Sequence, residues 1–371
     1  MSSSMEKVLQ ICHRHFFAKP VLCNDSIDHF IFGPVGELLK NNLYQEWLYS
    51  TVTKSDVTVF PYHTGKSLKD VGRGLLEPFE HVKAMNNGQL PFGIAVKDFG
   101  DRGKHGVEES SEELIKESLY FRPHNCTTLR LFMFVHPTHG MQFFDQWQRQ
   151  RKIWWRKFSA SPGRFSLADI HSENDGLTVH IQAEFSWGLE NVETICHKGT
   201  ALFDVLGKSE KELFEAKDGR RKIIPHVVES TINLDGAVFT FLCDAYDETT
   251  FLGLPREIMR FHRKLAPYKA SFAAASSSAS VSEELSQLAL YLTRELRSCG
   301  ILTLLLPDVA KKSLESQFIR NDELGIPYTA VLNDSSLKTG IIGLRSRDTT
   351  LKEQLHCSDL KLYMERLLKN Y

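Results

Sequence analysis

The feature that most constrains the fold is a regular switch of hydrophobic period beyond residue 266. The stretch "YKASFAAA" alternates as a strand does, and the segment after it repeats apolar residues every three or four positions, as a helix does, until Gly300. The same reasoning assigns the segments that follow, in chain order: "ILTLLL" as a strand, residues 310–322 as a helix, "IPYTAVL" as a strand, "NDSSLKTG" as a hairpin turn, "IIGLRSR" as its return strand, and a closing helix capped by Thr350 and Glu353. Such alternation predicts an α/β domain with a mixed sheet covered by helices.

A seam in the pattern divides the chain into two predicted domains. Gly and Pro punctuate "GLPREIMRFHRKLA" at residues 253–266, and the pattern changes after this basic stretch. Before the seam, strands such as "TTLRLFMFVH" and "GLTVHIQAEF" mix with long helices that begin at Pro34 and near Gln142, without strict alternation. We therefore expect an α+β domain over residues 1–255 and the α/β domain over residues 262–371.

The composition excludes several classes of protein. The 371 residues are 42% hydrophobic and 25% charged, and their formal net charge is −1, so nucleic acid would have to bind at a local patch. Seven cysteines without a C-x-x-C pair argue against a disulfide framework and against a zinc site. The longest apolar run is far shorter than the ~20 residues that a bilayer span needs.

Several catalytic and cofactor-binding motifs are incomplete or absent in this sequence. Two "GKS" tripeptides, at 65–67 and 207–209, lack the glycine that a P-loop places five residues earlier. "HPTH" at 136–139 holds two histidines, but Pro137 prevents a regular helix from placing both on a metal. Neither G-x-S-x-G nor H-E-x-x-H occurs. We therefore expect no cofactor and no metal.

The segment "FFDQWQRQRKIWWRKFSASPGR" carries a local excess of positive charge. On a helix its Phe and Trp side chains gather on one side, which predicts a buried face, while the basic residues project from the other. Together with "KDGRRK" at 217–222 it supplies the candidates for contact with DNA phosphates, which are Arg149, Lys152, Arg156, Lys157, Arg220, Arg221 and Lys222. The alternative is that both segments are solvated surface.

Motifs in the last third of the chain resemble the anticodon-binding domain of the glycyl, histidyl, threonyl and prolyl class II tRNA synthetases. They are Ala266-Pro267, "DELGIP" at 322–327, and a strand end that holds Arg345, Arg347 and Asp348. Upstream, "FGPVGELLKNNLYQEW", "LPFGIAV" and "EFSWGLENVETI" resemble the glycyl-tRNA synthetase catalytic domain, an antiparallel sheet flanked by helices. Within this superfamily "RQRKIWWRKFSASPGRF", "DGRRKIIPHVV", "FHRK" and "LRSRDTT" most resemble the accessory subunits of mitochondrial DNA polymerase gamma, which do not charge tRNA.

The residues that hold ATP in class II synthetases are missing. That chemistry uses one arginine in an Arg-x-Glu pair and another in a glycine-rich turn, because the triphosphate needs fixed guanidinium partners. The first region reads "VKDFGDRGKHG", without Arg-x-Glu. In the second, Asn233 and Asp235 replace glycines, and Gly236 stands where the arginine belongs. A carboxylate there would repel the nucleotide, so we expect a non-catalytic protein.

The resemblance implies a processivity factor that binds the polymerase catalytic subunit and double-stranded primer-template DNA. The second domain would bind the catalytic chain, and the candidate contacts are Gly340, Leu344, Arg345, Arg347 and Lys352. For the two arginines, pairing with Asp348 or Asp322 inside the domain is the alternative.

The number of copies and the location also follow from the resemblance. Vertebrate accessory subunits carry a longer helical insertion that builds a homodimer, whereas this chain passes from "VFPYHTG" to "LPFGIAV" through residues 66–89 alone. We therefore expect no symmetric homodimer, a 1:1 complex with the catalytic chain, and a place in the mitochondrial matrix at the nucleoid. Two other functions stay open: an active glycyl-type tRNA synthetase and a free-standing RNA-binding module.

Overall fold

The structure, a computed structural model, describes residues 3–23, 26–63, 70–101, 116–173, 176–218, 221–251, 254–307 and 312–369. In its first part the described strands are, in chain order, β1 (Ala18–Cys23), β2 (Ser26–Phe32), β3 (Val59–Tyr62), β4 (Phe92–Asp101), β5 (Asn125–Val135), β6 (Phe165–Leu167), β7 (His171–Glu173), β8 (Gly176–Phe185), β9 (Gly188–Gly199), β10 (Ala216–Asp218), β11 (Arg221–Ile223), β12 (His226–Asn233), β13 (Tyr246–Phe251) and β14 (Leu254–Met259). Within these ranges one large sheet has the order β3-β4-β5-β12-β9-β8-β6, and β7 pairs with β8. Apart from the parallel β3–β4 pair it is antiparallel, which confirms the predicted sheet.

Helices cover both faces of this sheet. They are α1 (Ser3–Arg14), α2 (Pro34–Leu48), α3 (Val71–Gly74), α4 (Leu76–Met85), α5 (Gly140–Phe158), α6 (Lys208–Leu213) and α7 (Leu234–Ala245). As Pro34 predicted, α2 begins with proline at its first position. Buried Met5, Val8 and Ile11 pack α1 into the same core as α2, α5 and α7. Among the described helices, none has the length and apolarity that crossing a bilayer requires.

Strand β5 shows how the sheet serves two cores. Successive side chains of a strand point to opposite faces. Leu131 and Met133 belong to the core beneath α5 and α7. Phe132 and Phe134 belong to the second core, where Phe79 of α4 lies with its ring centroid 4.8 Å from that of Phe134. Residues 131–135 of the strand are therefore all apolar, which is the pattern of a strand segment buried on both faces.

The second part of the chain forms a mixed sheet. Its strands are β15 (Ala270–Ala274), β16 (Thr303–Leu304), β17 (Tyr328–Leu332), β18 (Ile341–Ser346) and β19 (Lys352–His356), in the order β16-β15-β17-β18-β19. Strand β15 is parallel to β16 and β17, whereas β17, β18 and β19 are antiparallel. The helices are α8 (Ala279–Ser298), α9 (Leu314–Glu323), α10 (Asp334–Thr339) and α11 (Leu360–Lys369). The predicted mixed sheet is confirmed, while the domain limits of 255 and 262 stay a prediction.

Two local predictions in this domain are wrong. The expected turn "NDSSLKTG" holds helix α10, because the Asn333 side chain accepts hydrogen bonds from the backbone N–H groups of Ser335 and Ser336. Residues 352–356 form edge strand β19 rather than the start of a helix, since they continue the antiparallel register with β18. Thr350 has a φ of 57°, so it lies in the turn before β19 and caps no helix.

A buried carboxylate joins the second domain to the β13/β14 hairpin. Asp322 is 0% exposed, and its two oxygens accept hydrogen bonds from Arg345 of β18 at 2.8 and 3.0 Å. Arg256 of β14 brings a guanidinium nitrogen to 2.7 Å from the same carboxylate. Asp322 therefore pairs with two buried cations that come from different sheets, and Arg256 also donates to Glu315 at 2.9 Å.

We predict that Asp322→Asn lowers the free energy of unfolding by about 3–5 kcal/mol, because it leaves buried guanidinium charge without its counter-ion. Denaturant unfolding of the full chain measures the change. The matched control is Asp359→Asn at an exposed position of the same domain, which should change stability by less than about 0.5 kcal/mol. Equal stability of Asp322→Asn and the wild-type chain would contradict this role.

Candidate nucleotide site and binding surfaces

The turn from β12 into α7 is the place where the family's ATP-binding arginine would stand. Asn233 is the N-cap of α7, and its side-chain oxygen accepts a hydrogen bond from the Gly236 backbone N–H at 3.0 Å. This bond satisfies one of the free donors in the first turn of the helix. Asn233 thus has a structural role in place of the family glycine.

Asp235 is buried beside this turn, with 3% of its surface exposed. One carboxylate oxygen accepts a hydrogen bond from the Thr127 backbone N–H at 3.1 Å, and the other lies 2.6 Å from the Lys40 ammonium. A carboxylate that is compensated in this way presents little net charge to a ligand. Repulsion by Asp235, which the sequence suggested, is therefore not what keeps a nucleotide out.

The backbone of Phe121 closes the arginine position instead. A Cβ atom built on Gly236 would lie 2.6 Å from the Phe121 carbonyl oxygen, closer than real Cβ contacts come. Aromatic packing fixes Phe121 there: its ring centroid lies 5.3 Å from that of Phe239 and 5.4 Å from that of Phe185. Phe185 in turn stacks on Trp187 at 4.8 Å. An arginine cannot occupy position 236 unless this cluster moves.

The other region that holds ATP in the synthetases is only partly described, and the described residues contain no candidate metal site. In "VKDFGDRGKHG", Val96 to Asp101 belong to β4, and residues 102–106 lie outside the described residues. Across the described ranges, no group of three or more His, Cys, Asp and Glu side chains is placed to hold a metal ion.

Helix α5 has the predicted aromatic face. Its buried aromatic side chains are Phe144, Trp147, Trp154, Trp155 and Phe158. On the outer side Arg149 and Arg156 are exposed and Lys152 is half-buried. Arg156 also donates from Nε to the Phe165 carbonyl at 2.9 Å, and the Lys157 ammonium lies 5.2 Å from the Phe158 ring centroid.

One basic residue of α5 points inward, and the charge pattern alone missed it. Arg151 is 2% exposed and donates from Nε to Glu193 at 2.8 and 3.1 Å. The same carboxylate accepts hydrogen bonds from Trp155 at 2.7 Å and from Ser230 at 2.5 Å. Arg151 is three and four residues from the buried tryptophans, so its helical position was the signal that it belongs to the inner face.

The two predicted DNA-binding segments lie in different layers. Helix α5 packs against β8, β9 and β12 on the face of the larger core. The β10/β11 hairpin lies beside Gly88, whose carbonyl accepts the Lys217 N–H at 2.7 Å, and it flanks Phe214 and Ile224 in the core around α4. Arg221 and Lys222 are exposed, Lys222 pairs with Glu215 at 2.8 Å, and Arg220 lies outside the described residues. The two segments therefore do not share one face of the sheet, and their contact with DNA stays a prediction.

Three of the five residues predicted to contact the polymerase subunit are buried, and Lys352 is exposed. Leu344, Arg345 and Arg347 are 3–4% exposed, and Gly340 ends α10 with a φ of 71°. Arg347 donates hydrogen bonds to the carbonyl oxygens of Met259, Gly325 and Phe261 and to Asp348. Internal pairing, the alternative for the arginines, is what the structure contains. Lys352, on β19, is exposed.

These features of the fold and of the turn before α7 define a class of protein. The chain is a class II tRNA synthetase-like protein whose ATP site is closed and whose last domain has the anticodon-binding architecture. A family model described as "Anticodon binding domain" matches residues 276–367.

Comparison with curated proteins identifies the family. The chain is 31% identical over 377 residues to the Xenopus laevis protein named DNA polymerase subunit gamma-2, mitochondrial, covering 99% of this chain and 73% of that one. With the Bos taurus DNA polymerase subunit gamma-2 it shares 26% identity, covering 98% of this chain and 86% of the relative. It therefore belongs to the family of DNA polymerase gamma-2 subunits, which confirms the resemblance predicted from the sequence.

The relationship to tRNA synthetases is also found. The glycine–tRNA ligase of Chlorobaculum tepidum is 26% identical over 298 residues, covering 78% of this chain and 59% of the ligase. The synthetase scaffold has thus persisted in a polymerase subunit.

We predict that Gly236→Ala destabilises the fold by about 1–3 kcal/mol, because the added methyl group meets the Phe121 carbonyl. The sign of the change in stability tests the contact, since Gly→Ala inside a helix ordinarily stabilises a protein by up to about 1 kcal/mol. Denaturant unfolding measures it, with Gly163→Ala as control, where a Cβ would meet nothing within 4 Å. A stabilised Gly236→Ala chain would mean that the position is open.

Proposed function

We propose that this chain is the non-catalytic accessory subunit of the mitochondrial replicative DNA polymerase. The observation that carries the proposal is the family match, which extends over 99% of the chain. The closed position 236 supports it, because adenylate formation needs a guanidinium there. The subunit binds the catalytic chain and keeps the complex on primer-template DNA, so that synthesis continues longer before dissociation.

The outer face of α5 is the proposed contact with duplex DNA. Arg149 and Arg156 are exposed there, and Lys152 lies between them. Neutralising about three phosphates gives log K a slope of roughly −3 against log salt concentration. The hairpin residues Arg221 and Lys222 would contact DNA separately, since they lie in the other layer.

Edge strand β19 is the proposed contact with the catalytic chain. Leu351, which precedes it, is 69% exposed, and Lys352 is exposed beside it. In the described residues β19 pairs with β18 alone, so its outer backbone groups can hydrogen-bond to a partner. Arg345 and Arg347 support this edge from inside rather than touching the partner.

We further propose a 1:1 complex in the mitochondrial matrix, at the nucleoid. The alignment with the Bos taurus subunit runs over 435 positions, although this chain has 371 residues, so the relative contains segments that this chain lacks. Segments that this chain lacks are what the absence of a dimer-forming insertion requires. The relatives from Xenopus laevis and Drosophila melanogaster are named mitochondrial. Light scattering of the purified complex measures its stoichiometry.

We predict that the double variant Leu351→Asp/Lys352→Glu loses at least tenfold in affinity for the catalytic subunit, because it reverses the charge and removes an exposed apolar contact of the β19 edge. Co-purification and processive primer extension measure the loss. The matched control is Val205→Asp/Lys208→Glu, which makes the same changes at exposed positions of the first domain.

Two results would count against this proposal. Full stimulation by the Leu351/Lys352 variant would remove β19 from the interface. Glycine-dependent pyrophosphate exchange by the wild-type chain would show an active synthetase, and the whole assignment would then fail.

A further inference from the structure

The segment of residues 260–269, between the two sheets, gathers positive charge from three elements. It carries Lys264 and Lys269 itself. Helix α5 ends beside it with Lys157, and the π turn that follows α2 ends at Lys54. The four lysines come together only in the folded chain, because Lys54, Lys157 and the pair Lys264 and Lys269 are far apart in sequence.

Specific contacts hold these elements in place. The Phe158 ring meets the His262 ring edge to face, with centroids 5.1 Å apart, and so joins the end of α5 to the segment. Trp154 Nε1 lies 3.4 Å from the Glu46 carbonyl oxygen, which joins α5 to α2. Asn42 of α2 donates hydrogen bonds to the carbonyl oxygens of Leu265 and Ala266 at 3.1 and 2.9 Å. The lysines therefore sit on a rigid base.

The positive charge exceeds the negative charge that faces it. In the described residues, Glu46 is the carboxylate that acts on this group, 3.7 Å from the Lys264 ammonium. Burial, with the charges of Lys264 and Lys54, lowers the pKa of Lys157. Burial lowers the pKa of Lys269 to about 7, and Lys264 adds to that effect. An anion from outside would stabilise the charged form of these lysines against both burial and their mutual repulsion.

The outer part of this group is open to a ligand. Lys54 is exposed, and the Lys264 ammonium lies 5.7 Å from the ring centroid of Tyr49, a side chain that is 49% exposed. Lys269 is directed inward instead, where it donates to the Lys264 and Ala266 carbonyl oxygens. An approaching anion would therefore meet Lys54, Lys157 and Lys264.

We propose that Lys54, Lys157 and Lys264, here named the junction cluster, bind backbone phosphates of duplex DNA. The inference rests on the proposed function and gives it a second DNA contact, next to the outer face of α5. The position of the cluster at the end of α5 favours DNA as its ligand. Lys157 belongs to the same helix as exposed Arg149 and Arg156, so the cluster extends the row of cations on that helix. A row of separated cations suits a polymer of phosphates better than a single small anion.

The test is binding of the full chain, without the catalytic subunit, to a fluorescent duplex across a salt titration. For Lys54→Gln/Lys264→Gln we expect the slope of log K against log salt to become less steep by about 2, so that the wild-type advantage shrinks about tenfold between about 50 and 200 mM salt. Glu46→Gln should bind more tightly, because it removes the opposing carboxylate. Lys208→Gln, at an exposed site on α6, is the control that should leave the slope within about 1.

The contrary results are distinct from a failure of the proposed function. An unchanged slope in the double variant, with thermal unfolding that shows an intact fold, would overturn the cluster while co-purification with the catalytic chain stands. A double variant that loses binding to poly-glutamate but keeps its binding to the duplex would assign the cluster to an acidic protein and would overturn the proposed DNA contact. Failure of the wild-type chain to bind the catalytic subunit would instead refute the function itself.

Discussion

The carboxylate of Asp322 is the point on which the arrangement of the two sheets depends. It lies at the end of α9 and binds Arg345 from the second sheet and Arg256 from β14, with no exposed surface of its own. Arg347 strengthens the same junction through the carbonyl oxygens of Met259 and Phe261. Buried guanidinium groups cannot separate from these acceptors without leaving uncompensated charge in a low-dielectric interior. The junction is therefore rigid, and surfaces on either side of it keep a fixed relation.

That rigidity bears on how a synthetase scaffold can serve a polymerase. A processivity factor holds a protein and a nucleic acid at once, and a fixed distance that matches both partners raises the effective concentration for the second contact. The catalytic site needed an open turn before α7, whereas a binding platform does not. Here the Phe121 carbonyl closes that turn, and the Phe121 ring packs edge to face against Phe239, so this place is part of the core.

Much of the fold could be predicted from the sequence, since hydrophobic periods and family motifs both carry it. The mixed sheet, the aromatic face of α5 and the start of α2 at Pro34 needed nothing more. Strand β19 could not be predicted, because a short polar edge strand has no periodic signal and only its register with β18 defines it. The closing of position 236 was also beyond reach, since the obstacle is a backbone carbonyl from a segment more than a hundred residues away.

The roles of the basic residues were the hardest to predict, because arginine and lysine side chains behave differently. Arginine offers a planar fork of donors and tolerates burial when several acceptors surround it, whereas lysine holds its hydration and stays near the surface. Accordingly three arginines of the recognisable motifs turn inward: Arg345 and Arg347 bind acceptors of the junction, and Arg151 binds Glu193. Among the other cations, Arg149, Arg156 and Lys54 are exposed, and Lys264, the last residue of "FHRK", is half-buried. Because the net charge of the chain is only −1, the proposed contact with DNA depends on such local groups, and we expect it to depend on salt and to be indifferent to sequence.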